Sequence, residues 1–313
     1  MDISVVIPLL NEEQSIPQLN ETLLKSLSPL EKSFEIIYVD DGSSDKSFQL
    51  LSEIHQQFPE QTKIIQFRRR FGQTAAMSAG ISFAQGNIII MLDADLQNDP
   101  ADIPRLLEKM DEGYDIVSGW RVHRKDKYFT RILPSKIANW FIGSITGVKL
   151  HDYGCSLKAY RAEVIKDLRL YGEMHRFIPA LASWFGANIA EIPVQHHPRR
   201  FGTSKYSLNR IWRVLLDLIT VKFLLSFSTR PLQIFGSIGL VSFIAGFGIS
   251  GYLTFLKLVY QEHLSNRPLL WLGILLIMLG FQFITLGLLA EMLARTYHES
   301  QNKPIYVIRR VLG

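Results

Sequence analysis

The chain has 313 residues, 47% of them hydrophobic, with a net charge of +5 and one cysteine. A mean hydropathy of +0.11 is high for a fully soluble protein, and the lone Cys155 excludes an internal disulfide, which fits a reducing compartment. Lys and Arg are dispersed and no zinc-ligand spacing or RNA-binding aromatic signature occurs, so the basic balance is assigned to phosphates or an anionic membrane face, with no nucleic acid partner.

The N-terminal MDISVVIPLLNEEQS lacks a basic leader and carries Asp2, so it reads as a strand and not as a signal peptide. Short apolar runs follow at 3–8, 34–40, 63–67, 87–93 and 115–119, with helical patterns such as 12–27 and 73–84 between them. This alternation predicts an α/β domain over 1–206 with a mainly parallel sheet, whose ligands belong at the strand C-terminal ends. Polar clusters fall at four consecutive ends: PLLNEE (8–13), DDGS (40–43), RRRFG (68–72) and DAD (93–95). Together they predict one pocket.

The segment MLDADLQN (91–98) has two readings. Asp and Asn after a strand serve as turn and cap residues. Alternation along an extended segment also points Asp93, Asp95 and Gln97 to one side, where hard oxygen donors suit Mg²⁺ or Mn²⁺ beside phosphates. No G-x-G-x-x-G follows the first strand and no P-loop occurs, which disfavours a dinucleotide dehydrogenase or a P-loop phosphotransferase. A metal with arginines nearby suits a nucleoside diphosphate-sugar.

Residues 207–228 alternate apolar faces with Arg210, Arg213 and Lys222, the pattern of an interfacial helix (207–230) or of an amphipathic helix packed on the domain. Residues 231–256 and 268–290 contain no charge, and each exceeds the roughly 20 residues that span a hydrocarbon core. They predict a transmembrane hairpin within 231–292. Arg210, Arg213, Lys222 and Arg230 before it and Arg295, Lys303, Arg309 and Arg310 after it place the α/β domain and both termini on the cytosolic side of a cell inner membrane. The tail, 293–313, contains a strand-like stretch at 304–310 that pairs with itself or a neighbour, and on that ground a homo-oligomer is expected.

Seven segments then carry a family resemblance: VVIPLLNEEQSI (5–16), YVDDGSSDKS (38–47), FRRRFGQTAAMSAGI (67–81), MLDADLQNDP (91–100), SGWR (118–121), DYGCSLKAYR (152–161) and HHPRRFGTSKYS (196–207). In this order they resemble the inverting family-2 glycosyltransferases of GT-A fold, and among them the polyprenyl-phosphate enzymes that include dolichol-phosphate mannose synthases and bacterial glucosyl carrier-lipid enzymes. The resemblance implies that Pro8, Asn11, Glu12 and Asp40 line the nucleobase and ribose pocket, with Asp41 on the same nucleotide. It implies a metal set of Asp93, Asp95 and Gln97, the last two as direct ligands. Arg121, Arg131 and Arg199, with Ser204 and Lys205, gather the donor diphosphate or lipid phosphate. Arg68 counts with the binding residues, whereas Arg69 reads as a solvated charge.

Asp152 matches the position of a catalytic base; a carboxylate that orients the acceptor or a basic residue, or one that satisfies Arg or backbone donors, fits it equally. His196 and His197 are poor ligands for a hard cation. The expected reaction moves a sugar, glucose first, from a UDP-sugar to a membrane polyprenyl phosphate with inversion. A processive polysaccharide synthase is the second enzyme reading, with Asn209-Arg210-Ile211-Trp212 only a distant echo of its motif, and a non-catalytic nucleotide-sugar-binding scaffold is a third.

Overall fold

The structure, a computed structural model, describes residues 1–122, 139, 142–144, 146–168, 170, 174–198, 231–261, 268–300 and 306–313. It divides into two compact units, Met1–Val221 with Pro304–Gly313, and Lys222–Lys303.

The first unit is built on one eight-stranded sheet. In chain order its described elements are β1 (Ile3–Leu9), α1 (Ile16–Leu27), β2 (Phe34–Asp40), α2 (Ser47–Gln57), β3 (Thr62–Phe67), α3 (Gln73–Phe83), β4 (Ile88–Met91), α4 (Ile103–Asp111), β5 (Ile116–Trp120), β6 (Lys158–Arg161), α5 (Ala162–Lys166), α6 (Ile178–Trp184), β7 (Ile189–Pro193) and β8 (Ile308–Leu312). The strand order is β7-β5-β6-β4-β1-β2-β3-β8. Only β6 and β8 run against the rest. β1 is buried at every position, as a strand covered on both faces requires.

Helices cover both faces. α1 and α4 present Leu19, Leu23 and Leu27 and Ile103, Leu106, Leu107 and Met110 at helical spacing to one side of the sheet. α3, α5 and α6 pack on the other. α3 lies so close that a Cβ on Gly80 would fall 2.1 Å from Val6 Cγ1, which only glycine avoids.

β1 carries a proline inside a central strand, a position that normally needs a ladder donor. The carbonyls of Asp2 and Val6 accept from Ile88 and Leu92, so even-numbered residues of β1 face β4. Pairing with β4 ends at Val6–Met91, whereas pairing with β2 runs on to Leu9–Asp40. Pro8 therefore turns its missing N–H toward a place that β4 has already left.

The five strands expected from apolar runs are present, and three more join them. β6 and β7 were not foreseen, because KAYR and IAEIP are short and too polar to stand out. β8, the strand expected in the tail, pairs antiparallel with β3 of its own chain, so it gives no ground for association between copies. Tyr306 anchors it: its ring stacks on Phe67 at 5.2 Å and 13°, and its hydroxyl lies 2.9 Å from Ser82 Oγ.

The second unit holds α7 (Pro231–Tyr260) and α8 (Pro268–Ser300). Each contains a stretch long and apolar enough to cross a membrane, Phe235–Tyr260 and Pro268–Ala290, and only 17% of each apolar window is buried, unlike a soluble-core helix. α8 continues ten residues past Ala290 into the segment assigned to the tail. The helices are antiparallel and meet through glycines: a Cβ on Gly239 would lie 2.7 Å from the Gly280 carbonyl oxygen, and one on Gly246 2.8 Å from that of Gly273. Residues 207–230, expected as an interfacial helix, lie outside the described residues.

Tyr306→Ala should lower the thermal midpoint of the detergent-purified protein by roughly 5 °C, the equivalent of about 2 kcal/mol of aromatic packing and one hydrogen bond, whereas Tyr306→Phe should keep most of it. A thermal-shift series on the full chain checks this.

Candidate active site

The loops after β1 and β2 are laced together. Asn11 sits in the left-handed region at φ 54; its amide donates to Ser43 Oγ at 2.9 Å, and its Oδ1 accepts from the Ser44 amide at 2.8 Å. The Glu12 and Glu13 amides donate to Ser47 Oγ and Asp45 Oδ2. Asp40 is fully buried, accepting from the Ser43 amide at 2.8 Å and from Gln66 Nε2 at 3.4 Å.

Asp41 fastens the third loop. Its carboxylate accepts from the Phe71 amide at 2.6 Å and from the Gly72 amide at 2.9 Å. Burial raises its pKa, against those amide bonds and the charge of Arg70, which pull it down. Beside it Gly42, at φ +75, packs on the Arg69–Arg70 backbone, where a Cβ would come within 2.7 Å of Arg69 C. Arg68, Arg69 and Arg70 are exposed; Arg69 lies over the Phe71 ring at 4.2 Å. Of this group Asn11, Glu12 and the arginines keep an accessible surface at the edge. The two aspartates act within the protein frame.

After β4 the chain turns through Asp93, Asp95 and Gln97, with Leu96 at φ 60. Gln73 Nε2 donates to Asp93 Oδ1 at 2.8 Å, and the Gln97 amide donates to Asp95 Oδ1 at 3.2 Å. The turn is pinned by the segments after β7 and before β6: the His197 amide donates to the Gln97 carbonyl, His197 Nε2 lies 3.0 Å from Asp99 Oδ2, and Asn98 Nδ2 donates to Ser156 Oγ at 2.7 Å. His197 thus braces the acidic turn through its side chain, and His196 pairs with Asn98 through an isolated backbone bridge.

Burial, followed by the charge of Asp95, raises the Asp93 carboxyl to about 6, while Ser156, Arg121 and Arg176 pull it back. No group of three His, Cys, Asp or Glu side chains converges on one point among the described residues. Two mutually repelling carboxylates and an amide still fit a hard divalent cation whose remaining positions are filled by phosphate oxygens and water.

Arg121, at the end of β5, is held by Asp152. Its Nε and Nη2 donate to the two carboxylate oxygens at 2.7 and 3.0 Å, with side-chain exposures of 12% and 3%. The Gly154 amide donates to the same carboxylate. Glu191 on β7 holds the segment: Oε1 accepts from the Asp152 amide at 3.0 Å, and Oε2 accepts from the His151 amide at 3.0 Å and lies 2.8 Å from His151 Nδ1. A base would need a lone pair facing the acceptor; here both Asp152 oxygens face a guanidinium.

A cleft of about 390 Å³, open solvent included, adjoins Asp93 and is lined by Gln73, Tyr153, Ser156, Lys158, His175 and Arg176 among others. Lys158 is buried, donates to the Tyr153 carbonyl at 2.9 Å, and has its pKa lowered mainly by burial. His175 Nδ1 lies 2.7 Å from Thr74 Oγ1. Sequence reasoning did not single out Lys158, His175, Arg176 or Glu191; Lys158 alone left a signal, a charge where an inward position of DYGCSLKAYR should be apolar. Arg131, Arg199, Ser204 and Lys205 lie outside the described residues.

Residues 4–169 match glycosyl transferase family 2. The chain belongs to that family. It is 44% identical over 314 residues to the dodecaprenyl-phosphate galacturonate synthase of Rhizobium johnstonii, covering 99% of this chain and 93% of that one. It is 40% identical over 312 residues to the undecaprenyl-phosphate 4-deoxy-4-formamido-L-arabinose transferase of Proteus mirabilis, covering 99% and 94%. Within family 2 it therefore groups with the polyprenyl-phosphate glycosyltransferases. Glucosyl-3-phosphoglycerate synthase of Mycobacterium tuberculosis, solved with Mn²⁺ and UDP-glucose, shares the fold at a TM-score of 0.53 and 20% identity, over 71% of this chain and 78% of that one. The sheet is accordingly of the expected GT-A type.

Asp152→Asn should destabilise the first unit by roughly 3 kcal/mol by leaving the half-dry Arg121 without its counter-charge, and should lower glycosyl transfer about 100-fold through loss of its aim. Arg121→Lys should not restore it, because an ammonium cannot form the two-pronged pair. Transfer assays beside thermal midpoints of each variant check both.

Proposed function

We propose that this chain transfers a sugar, with inversion, from a UDP-sugar to a phosphate oxygen of a membrane polyprenyl phosphate. What carries the reading is the near full-length likeness to two enzymes whose names share a polyprenyl-phosphate acceptor and differ in the sugar. Those names do not single out glucose, so UDP-glucose stands as one donor to test beside others.

In this reading Asn11 and Glu12 flank the nucleoside, and Pro8 and the buried Asp40 shape its pocket. Asp93, Asp95 and Gln97 hold Mg²⁺ or Mn²⁺, which when bound supplies positive charge to the departing diphosphate. Arg121 adds a guanidinium that Asp152 holds in one orientation, so little reorganisation is needed as negative charge builds on the leaving group. A phosphate monoester with a second pKa of about 6 is mostly a dianion at neutral pH, so the acceptor needs no strong base. That chemistry agrees with an Asp152 that positions Arg121. Arg131, Arg199, Ser204 and Lys205 are assigned to the acceptor and donor phosphates on the family resemblance.

The two apolar helices anchor the enzyme where its lipid acceptor lies. A cytosolic placement of the catalytic unit and both termini is supported by the cations flanking the hairpin, and by β8, which follows α8 and pairs with β3.

Purified protein supplied with undecaprenyl phosphate, Mg²⁺ or Mn²⁺ and a panel of labelled nucleotide-sugars should move label into the organic phase, with loss of activity in EDTA and a drop of at least 100-fold in Asp95→Asn. UDP binding without transfer from any donor would reject the reading in favour of a binding scaffold. Because Asp93 is raised to about 6, metal affinity should fall about tenfold per pH unit below that value as the carboxyl protonates. Mn²⁺ titrations at pH 5, 6 and 7.5 test this. Without metal the sign reverses for stability: the folded state holds this proton more tightly than the unfolded chain, so Asp93 favours folding increasingly as pH falls from about 6 toward 4.

A further inference from the structure

The two long helices spend one side of α8 on each other. A Cβ on Gly239 of α7 would lie 2.8 Å from Ile284 Cγ1, and one on Gly246 2.7 Å from Ile277 Cγ1, beside the Gly280 and Gly273 carbonyls already described. Gly273, Ile277, Gly280 and Ile284 therefore form the row toward α7, in steps of four, three and four residues. A second row, Leu275, Met278, Gln282, Thr285 and Leu289, keeps the same alternation of three and four. Leu275, Met278 and Gln282 each precede a member of the first row by two residues, about 200° around an α-helix, and all five side chains of the second row are exposed. Steps of three and four repeated along a helix are the pattern of a seam against another helix. α7 fills the first row, and nothing among the described residues fills the second.

An apolar row alone would simply face lipid, but this one carries an amide. Gln282 is the one amide side chain within Pro268–Ala290. It is exposed, and its side chain makes no hydrogen bond among the described residues. Thr285, the other polar member of the row, has already given its hydroxyl to the Phe281 carbonyl. Along the helix Gln282 lies about 12 Å from the Ala290 end of the apolar stretch and about 21 Å from the Pro268 end, well inside a hydrocarbon core of roughly 30 Å. Hydrocarbon offers an amide no partner, and polar side chains at such a depth turn toward another helix.

We propose that the second row is an interface between two copies of this chain, α8 against α8. Copies inserted in one sense in one membrane are related by a two-fold axis along the membrane normal, so their α8 helices run parallel and each residue meets its twin at the same depth. An amide is complementary to itself: Gln282 Nε2 of one copy donates to Gln282 Oε1 of the other, and a single polar residue in an apolar seam fixes the register as it does so. Association between copies thus has a ground in α8 that β8 does not give. The inference rests on the membrane-spanning reading of α8 and is independent of the donor and acceptor chemistry.

The test uses the full chain in membranes. Leu275→Cys and Met278→Cys on the row, and Leu272→Cys and Leu288→Cys at exposed positions about 100° to either side, are oxidised with copper phenanthroline. The parent chain, whose single Cys155 is buried, gives the background. The row cysteines should form disulfide-linked dimers roughly fivefold more than the flanking ones. Energy transfer between labelled copies diluted in lipid vesicles should show Gln282→Leu lowering the association constant about tenfold, and Gln282→Asn, which keeps a self-complementary amide, lowering it less. Gln282→Leu makes the span more apolar, so weaker association there is not failed insertion. Equal cross-linking around the helix, cross-links of the row to other proteins alone, or undiminished association of Gln282→Leu overturns the interface. Release of the chain by alkaline carbonate rejects the spanning reading and the interface with it, whereas a chain that stays in the membrane without row cross-links rejects the interface alone.

Discussion

The site depends on where one ladder of hydrogen bonds stops. β1 continues against β2 to Leu9 but parts from β4 after Val6. Backbone groups freed at such a parting must find other partners, and a strand that ends early leaves a crevice between its neighbours. Pro8 makes the parting permanent on the β1 side because it has no N–H to offer a longer β4. Into this gap the chain turns through Asp93 and Asp95. On the other side of β4, antiparallel β6 starts at the level of Met91, which brings Lys158 and the 152–156 segment to the same edge.

Charge is distributed around that crevice by a simple division. Carboxylates that hold the frame are matched inside the protein: Asp41 to two loop amides, Glu191 to the amides of His151 and Asp152, and Asp152 to Arg121. Asp93 and Asp95 stand together and raise each other's energy. On the proposed reading, the repulsion stays where a cation and a diphosphate would arrive and is neutralised elsewhere, so affinity is gained without loosening the loops. Arg121 shows the same economy, since its partner fixes the direction of the fork before any substrate is present.

Much of this was legible in the residue order. Continuous apolar runs ending in acids, glycines or arginines gave away the parallel strands and the polar edge where they end, and two uncharged stretches gave away the long helices. What stayed hidden was hidden for physical reasons. β6 and β7 are short strands with polar residues, so periodicity had too little to count. The work of Asp41 and Asp152 depends on amides and a guanidinium some thirty positions away in the chain, a pairing that only the fold creates. Lys158 is a buried charge, which hydropathy patterns treat as an error, and the same short strands that escaped notice, β6 and β7, are the ones that carry it and Glu191.

The return of the chain to β3 also bears on how the protein is made. β8 is translated after α7 and α8, so the edge of the catalytic sheet stays open while both helices are emerging from the ribosome. It closes only when β8 reaches β3. Until then the catalytic unit carries a bare strand edge, the feature that quality-control proteases and aggregation both find first. The last strand to be made thus removes an exposed edge that the rest of the sheet leaves behind.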